Sequence, residues 1–430
     1  MPSLEISRSA EIPMSDVPAA TDGSRRRFLR DATLAGAALA LPHAAAAAAP
    51  IDAAIDRALA ERRLVGTVVL VARDGRTVHR RAAGLADREA GTPMREDTPF
   101  RLASVSKPVV TTAAMALVAQ GRLELDAPVT RWLPGFRPAL ADGSRPPISL
   151  RQLLSHTSGL GYRFLEADAA GPYARAGVSD GLDLPGFDLD ENLRRLASVP
   201  LLFAPGSAWH YSLGVDVVGA AIERAADAPL ADAVQGLVGA PLGWRDTAFH
   251  ALDPARLAAV YVNDTPAPHR MQGPETVAFM PGSAGVAFDP ARALDRSAYP
   301  SGGAGMVGTA DELLRLLETL RQGGGDVLPA ASVAEMARNQ TGTMGPPDAP
   351  GSGFGLGFSV LRDPAAAASP EAPGSWRWGG AYGHAWSVDP VRRISVVALT
   401  NTLFEGMSGA FVGELRDAVY AQLVATGERA

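Results

Sequence analysis

Strand patterns lie at the two ends of this chain, and helical patterns lie between them. Near the start, the β-branched run at residues 67–73 and the turn signal Asp74-Gly75 predict a hairpin. Near the end, four segments predict successive antiparallel strands, at residues 354–361, 376–380, 385–389 and 394–400. Strands from both ends bury their apolar faces most simply in one antiparallel sheet.

Helical periodicity dominates the middle of the chain. A helix is predicted over residues 104–120, with Gly121 ending it, and shorter helical patterns follow at residues 193–197, 215–225 and 311–320. A closing helix aligns apolar residues from Phe411 to Leu423 on one face. We therefore predict an α+β fold. Its sheet part would comprise about residues 50–103 and 330–430, and its mostly helical part about residues 104–329.

The first 49 residues are predicted to be an export signal rather than part of the fold. Residues 24–30 read Ser-Arg-Arg-Arg-Phe-Leu-Arg, which matches the twin-arginine pattern, and an alanine run at residues 44–49 offers cleavage sites. The apolar stretch between them is too short for a stable membrane anchor. We expect export of the folded protein to the periplasm or beyond, with Met1 or Met14 as the first residue of the leader.

Composition excludes several partners and cofactors. A net charge of −6 argues against nucleic acid, because neutralising phosphates requires clustered lysine and arginine. The chain has no cysteine, and its seven histidines show no pair at ligand spacing, so neither a metal site nor another cofactor is expected. Nothing in the sequence indicates an oligomeric state.

Lys107 is the single lysine among forty basic residues. An arginine remains charged at every accessible pH, whereas a lysine amine can release its proton and act as a base. Ser104 lies three residues earlier, and residues three apart share one face of a helix. The resulting S-x-x-K pattern is typical of an activated serine nucleophile, although chance would also produce it in a fraction of sequences.

Two further segments contain groups suited to acyl chemistry. Tyr211 follows a Pro-Gly turn and precedes an apolar helix, and its phenol could pass protons beside an amine, although a structural role is the ordinary one for tyrosine. Trp378, Gly379 and Gly380 precede Ala381 on a predicted strand. Two glycines there indicate a close backbone approach, where N–H groups could bind an oxyanion.

Residues 177–181 spell G-x-S-x-G around Ser179, the pattern of a nucleophile elbow. That pattern carries meaning only between a strand and a helix, and both flanks here have loop composition. We therefore predict that Ser179 lies in a surface loop and takes no part in catalysis.

Together these motifs resemble the serine β-lactamase and penicillin-binding-protein superfamily, and most closely its class C-like carboxylesterases, the family VIII esterases. The resemblance extends over about residues 52–425. The other segments that carry it are residues 100–103, 153–159, 205–206 and 302–306. It implies a β-lactamase/transpeptidase-like fold, no cofactor, and a small-molecule ester as substrate.

The resemblance also implies residue roles. Ser104 would be the acylated nucleophile, Lys107 its base and Tyr211 the proton relay. The backbone N–H groups of Ser104 and Ala381 would form the oxyanion hole. The substrate-binding residues would be Trp378, Gly379, Gly380, Tyr162 and Leu213.

Two positions depart from the lactamase pattern. Leu213 stands where lactamases and peptidases carry asparagine, and Trp378 stands where they carry a cation or histidine. Both changes remove polar groups that would hold a substrate carboxylate, and both are typical of the esterase branch. We therefore predict a serine carboxylesterase. A β-lactamase or D-Ala-D-Ala carboxypeptidase, an α/β-hydrolase using Ser179, and a binding module without activity are the alternatives.

Overall fold

The computed structural model of this protein describes residues 49–424, so the predicted twin-arginine segment lies outside the described residues. The helices are α1 (Pro50–Ala60), α2 (Ser106–Ala119), α3 (Leu150–Leu154), α4 (Pro172–Arg175), α5 (Leu189–Ser198), α6 (Gly214–Ala226), α7 (Leu230–Val234), α8 (Ala240–Leu242), α9 (Ala310–Arg321), α10 (Ala330–Ala337), α11 (Glu405–Ser408) and α12 (Ala410–Leu423). Within the described residues, no helix is long and apolar enough to cross a membrane.

Strands from both ends of the chain form one antiparallel sheet. The strands are β1 (Gly66–Arg73), β2 (Arg76–Asp87), β3 (Thr92–Pro93), β4 (Phe100–Arg101), β5 (Tyr261–Val262), β6 (His269–Arg270), β7 (Glu275–Val277), β8 (Val286–Phe288), β9 (Val307–Gly308), β10 (Ser352–Phe354), β11 (Ser359–Leu361), β12 (Trp376–Gly380), β13 (His384–Asp389) and β14 (Ile394–Thr400). The eight-stranded sheet has the order β10-β11-β12-β13-β14-β1-β2-β3, and Thr67 of β1 pairs with Thr400 of β14. The predicted α+β class is confirmed.

The central strand β1 is buried on both faces, which explains why its sequence is continuously apolar. Val69 and Val71 pack in a small core beneath α1 and α12. Val68 and Leu70 point to the opposite face and join the main core, which α2, α6 and α9 also enter. The sheet is therefore covered by helices on both sides.

The predicted strand at residues 354–361 is wrong in detail. The segment turns instead, and β10 pairs with β11 as a hairpin. Gly357 lies in the turn with a φ of +83°, and a Cβ there would come within 2.3 Å of the Thr111 hydroxyl on α2. A residue without a side chain lets the turn pack directly against this helix. Three short strand pairs, β4–β9, β5–β6 and β7–β8, were also not predicted.

Candidate active site

Ser104 lies in a short 3₁₀ turn, Ala103–Val105, that leads into α2. The preceding residue, Ala103, has a φ of +46°, a left-handed conformation that costs energy in any residue with a Cβ. The prediction that Ser104 and Lys107 share a face holds, because the turn continues directly into the helix. Ser104 is half-buried, whereas the residues on either side of it are fully buried.

The side chains of Ser104, Lys107 and Tyr211 meet at one point. Lys107 Nζ lies 3.2 Å from Ser104 Oγ, and Tyr211 Oη donates to the same oxygen at 2.6 Å. Tyr211 comes from the loop before α6, so the cluster depends on the packing of α6 against α2. A hydroxyl in contact with both an amine and a phenol is the arrangement that nucleophilic and acid–base catalysis requires.

Lys107 is fully buried, and its surroundings hold the amine in place. Nζ donates to the carbonyl of Gly303 at 2.8 Å. It also lies over two aromatic rings, 4.7 Å from the ring centre of Tyr211 and 5.4 Å from that of Tyr162. Aromatic faces attract a cation, so the rings stabilise the ammonium form without competing for its protons.

The phenol ring of Tyr211 is held by aromatic neighbours on several sides. The ring centres of His156, Tyr162 and Trp378 lie 4.8, 4.9 and 5.3 Å from it. His156 is fully buried, and burial lowers its pKa well below the usual value, so it remains neutral. Its Nδ1 lies 3.1 Å from the hydroxyl of Ser212, the residue next to Tyr211.

The end of β12 lies directly beside the nucleophile turn, and its glycines make this possible. A Cβ on Gly380 would lie 2.4 Å from the carbonyl oxygen of Leu102, and one on Gly379 would lie 2.6 Å from the side chain of Met407. Within residues 49–424, the N–H groups of Ser104 and Ala381 donate to no protein acceptor. Both are therefore free to bind an oxyanion.

His384, on β13, links this strand pair to the nucleophile segment. Its Nδ1 accepts from the N–H of Thr400 at 3.2 Å, so Nε2 carries the proton and donates to the carbonyl of Arg101 at 2.7 Å. Burial lowers the pKa of His384 to about 4. The neutral imidazole thus fixes the spacing between β13 and the backbone just before Ser104.

Ser104 lines a cavity of about 830 Å³ that also extends to residues of α12, such as Phe411 and Leu415, and to the charged residues Arg377 and Arg416. Its lining near the nucleophile is largely apolar and aromatic, with Trp378 on one side and the loop that carries Phe164 and Leu165 on another. The other apolar lining residues in this region include Leu182, Phe279, Met280, Val286, Phe404 and Met407. Such a lining favours an apolar ligand group over a charged one.

Comparison with known proteins gives the family. The Beta-lactamase family matches residues 51–421. Esterase EstB of Burkholderia gladioli is 56% identical over 380 residues, which cover 88% of this chain and 96% of EstB. This chain belongs to the beta-lactamase family.

Two solved structures have the same architecture. EstCE1, described as a hydrolase with promiscuous acyltransferase activity, matches with a TM-score of 0.85 at 48% identity, over 86% of this chain and 97% of EstCE1. A penicillin-binding protein homologue from Pyrococcus abyssi matches in fold alone, with a TM-score of 0.65 at 20% identity, over 88% of this chain and 77% of the homologue. The resemblance to the superfamily and to its esterase branch is confirmed.

The other residues that were predicted to bind substrate or the oxyanion do not all line the cavity. Trp378, Gly379 and Ala381 line the cavity. Gly380 is buried against the nucleophile turn, and Tyr162 is buried beside Lys107. Leu213 is fully buried in the main core and does not line the cavity, because it begins the buried face of α6.

Ser179 lies in a loop, as predicted, but the loop is not on the surface. The residue is 1% exposed, and its hydroxyl donates to Asp183 and accepts from the phenol of Tyr299 at 3.1 Å. Asn192 holds the backbone of Ser179 through two hydrogen bonds. The polar loop composition reflects this internal network rather than exposure to solvent, so the prediction of a surface loop is corrected.

Proposed function

We propose that this protein is a serine carboxylesterase that forms an acyl-enzyme on Ser104. The observation that carries the proposal is the contact of Ser104 Oγ with both Lys107 Nζ and Tyr211 Oη at the mouth of an apolar cavity. The names of EstB, an esterase, and EstCE1, a hydrolase, support it.

In the proposed reaction Lys107, as the neutral amine, takes the proton of the Ser104 hydroxyl while Oγ attacks the ester carbonyl. The bond from the carbonyl carbon to the alcohol oxygen then breaks, and Tyr211 delivers a proton to the leaving alkoxide and regains one from Lys107. A water molecule then attacks the acyl carbon, and Tyr211 passes a proton from the water to Lys107. The bond from the acyl carbon to Ser104 Oγ breaks, Lys107 returns a proton to Oγ, and the acid is released. Proton transfer needs groups within hydrogen-bond reach, and the distances of 3.2 and 2.6 Å satisfy this for the steps that Ser104 Oγ shares with Lys107 and with Tyr211.

The oxyanion formed during attack would be bound by the N–H groups of Ser104 and Ala381. Removing one such donor typically reduces turnover about 10²–10³-fold, so the spacing of the two N–H groups would affect the rate strongly. The His384 hydrogen bond to Arg101 and the close contact of Gly380 with Leu102 support that spacing.

The cavity lining favours esters whose acyl group is uncharged. Trp378 lines the cavity and packs against Tyr211 and Phe354. A carboxylate entering this region would lose its water without gaining an ionic partner from the tryptophan. An uncharged acyl chain has no such penalty and gains from apolar burial.

Labelling with a serine-reactive organophosphonate tests the proposal. Mass spectrometry should find the adduct on Ser104, and Ser104→Ala should abolish both labelling and hydrolysis of a short-chain p-nitrophenyl ester. Ser179→Ala is the matched control, because it removes a serine hydroxyl outside the cluster, and it should retain most activity. Labelling on Ser179, or on no serine, would overturn the proposed mechanism.

We also propose that the protein leaves the cytoplasm through the twin-arginine pathway, on the basis of residues 24–30. The full chain should appear in the periplasmic fraction of a Gram-negative host. Replacing Arg25 and Arg26 by lysine should keep it in the cytoplasm. Unchanged fractionation of that variant would exclude this route.

A further inference from the structure

Asp216 is a fully buried carboxylate in α6 that the proposed mechanism does not use. Its helix neighbours Val215 and Val217 are also fully buried. Its Oδ1 accepts from the Ser301 hydroxyl at 2.6 Å, and its Oδ2 lies against the backbone of Gly303, whose N–H also favours the carboxylate. An ionisable group is costly at such a position unless a charge nearby compensates for it.

A chain of hydrogen bonds connects this carboxylate to Lys107. Ser301 Oγ donates to Asp216 and accepts from the N–H of Ala304 at 3.1 Å. The same peptide group provides the Gly303 carbonyl that accepts from Lys107 Nζ at 2.8 Å. Successive hydrogen bonds through one peptide group polarise one another, so a negative charge at one end strengthens the acceptor at the other.

The two charged groups also lie close together in space. A Cβ built on Gly303 would be 2.4 Å from Asp216 Oδ2 and 3.4 Å from Lys107 Nζ. The groups are therefore within the about 6 Å over which opposite charges perturb one another. Gly303 has no side chain to separate them.

Asp216 is the carboxylate that pairs with Lys107, because the other titratable groups named around the amine are phenols and a neutral histidine. Tyr162, Tyr211 and the neutral His156 surround Lys107. Arg292 and Tyr299 also interact electrostatically with Asp216. Burial raises the pKa of Asp216, and the Ser301 hydrogen bond and the charge of Lys107 oppose that rise.

We propose that Asp216 is a positioning residue for Lys107. Through Ser301 and the Gly303–Ala304 peptide, its carboxylate orients the amine toward Ser104 and stabilises the ammonium that forms when Lys107 takes the serine proton. The catalytic part of this role rests on the proposed function of Lys107 as base. The electrostatic part does not, and it can be measured separately.

Because Lys107 is the only lysine, its titration can be observed directly. Protein labelled with lysine that carries ¹³C at Cε should give a single signal from Lys107, and the change of its chemical shift with pH reports the protonation of the amine. Asp216→Asn should lower the titration midpoint by about one pH unit or more, because a neutral amide no longer favours the ammonium. Ser301→Ala should lower it by a smaller amount, since it breaks the chain but keeps the carboxylate.

Ser179→Ala is the matched control, because it deletes an equally buried hydroxyl that also donates to a carboxylate. Its Lys107 midpoint should equal that of the wild type. Equal midpoints in the wild type, Asp216→Asn and Ser301→Ala would overturn the proposal. A shift in Asp216→Asn without one in Ser301→Ala would overturn the route through Ser301. If Asp216→Asn fails to fold, as judged by thermal melting, Ser301→Ala decides the question.

Ester hydrolysis provides a second readout. In Asp216→Asn the acid limb of the kcat/KM profile should move to lower pH together with the Lys107 midpoint, and kcat should fall. A loss of kcat with an unmoved limb would indicate a purely structural role and contradict the proposal. A wild-type protein that hydrolyses no ester would instead refute the proposed function, while the Lys107 titration would still test the pairing with Asp216.

Discussion

At the scale of single residues, the amine of Lys107 is enclosed on every side that the structure describes. It contacts Ser104, the Gly303 carbonyl and two aromatic rings, and none of its surface is exposed. A guanidinium is larger and planar, and it keeps its proton at any accessible pH. The space around the amine therefore suits lysine better than arginine, and under the proposed mechanism only lysine could also lose a proton.

We predict that Lys107→Arg loses nearly as much activity as Lys107→Ala, about 10²–10⁴-fold in kcat/KM, because neither variant provides a base. Hydrolysis of a p-nitrophenyl ester, followed alongside thermal melting, measures the effect. A Lys107→Arg enzyme that keeps most of its activity would show that Lys107 supplies only charge, and Tyr211 would become the leading candidate for the base.

The residues that act at Ser104 could be predicted from sequence, and those that position them could not. Ser104 and Lys107 are close in the chain, and Tyr211 follows a recognisable turn. His156 and His384 act through contacts between segments far apart in sequence, which no local pattern reveals. Asp216 carries a local signal, an acid within an apolar helix, but this pattern does not reveal which groups the acid contacts.

At the scale of elements, the pairing of β12 with β13 sets the distance between Ala381 and Ser104. Gly380 pairs with His384 across the two strands, and His384 donates to Arg101 just before the nucleophile. This geometry depends on a neutral imidazole, because Nδ1 accepts from an N–H and a proton there would face another donor.

We predict that His384 makes the fold sensitive to acid. Its pKa is about 4 when folded and about 6.5 in an unfolded chain, so the unfolded state binds the extra proton between these values. Stability should therefore fall as the pH falls from about 6.5 to about 4. Thermal melts of the wild type should show a steeper decline than those of His384→Gln. A decline of equal steepness in the two proteins would contradict this prediction.

Asp180 should make the stability of the fold depend on pH in the opposite direction. The buried carboxyl accepts from the N–H groups of Arg163 and Phe164 and so holds the loop that lines the cavity. Burial raises its pKa to about 7, above the unfolded value of about 3.9. Between these values the folded state retains the proton, so stability declines as the pH rises.

Relative to Asp180→Asn, the wild type should lose on the order of a few kcal/mol of unfolding free energy between pH 4 and pH 7. Urea unfolding of both proteins across this range measures the difference. A difference that stays constant with pH would mean that the pKa of Asp180 is not raised in the folded protein.

Two segments were predicted wrongly for the same physical reason. Residues 354–361 have the composition of one strand, yet contact with α2 bends them into a hairpin at Gly357. Residues 177–181 have the composition of a surface loop, yet buried partners satisfy their polar groups. In both cases tertiary contacts, which local composition does not contain, determine the outcome.

At the scale of the whole molecule, strands at both ends of the chain were enough to predict the sheet, because the apolar faces of both ends must be covered. The short pairs β4–β9, β5–β6 and β7–β8 could not be predicted, since two or three residues carry no periodicity. The cavity likewise depends on loops far apart in the sequence.

We predict that the enzyme prefers small uncharged esters to β-lactams. Trp378 offers no partner to the carboxylate of a cephalosporin, and a charge left unpaired beside it loses its water at a cost of several kcal/mol. The measurement compares kcat/KM for a short-chain p-nitrophenyl ester and a chromogenic cephalosporin on one preparation. If the cephalosporin is hydrolysed more efficiently than every ester tested, the lactamase alternative replaces the esterase proposal.

The pairing of Thr67 with Thr400 also has a consequence for biosynthesis. A ribosome releases β1 long before it makes β14, so the largely apolar β1 initially has one edge without its final partner. Exposed apolar edges promote association between nascent chains. Because Ala381 and β14 are made late, a truncated translation product cannot contain a complete site. Until synthesis is nearly finished, β1 depends on cellular chaperones to keep its free edge from associating.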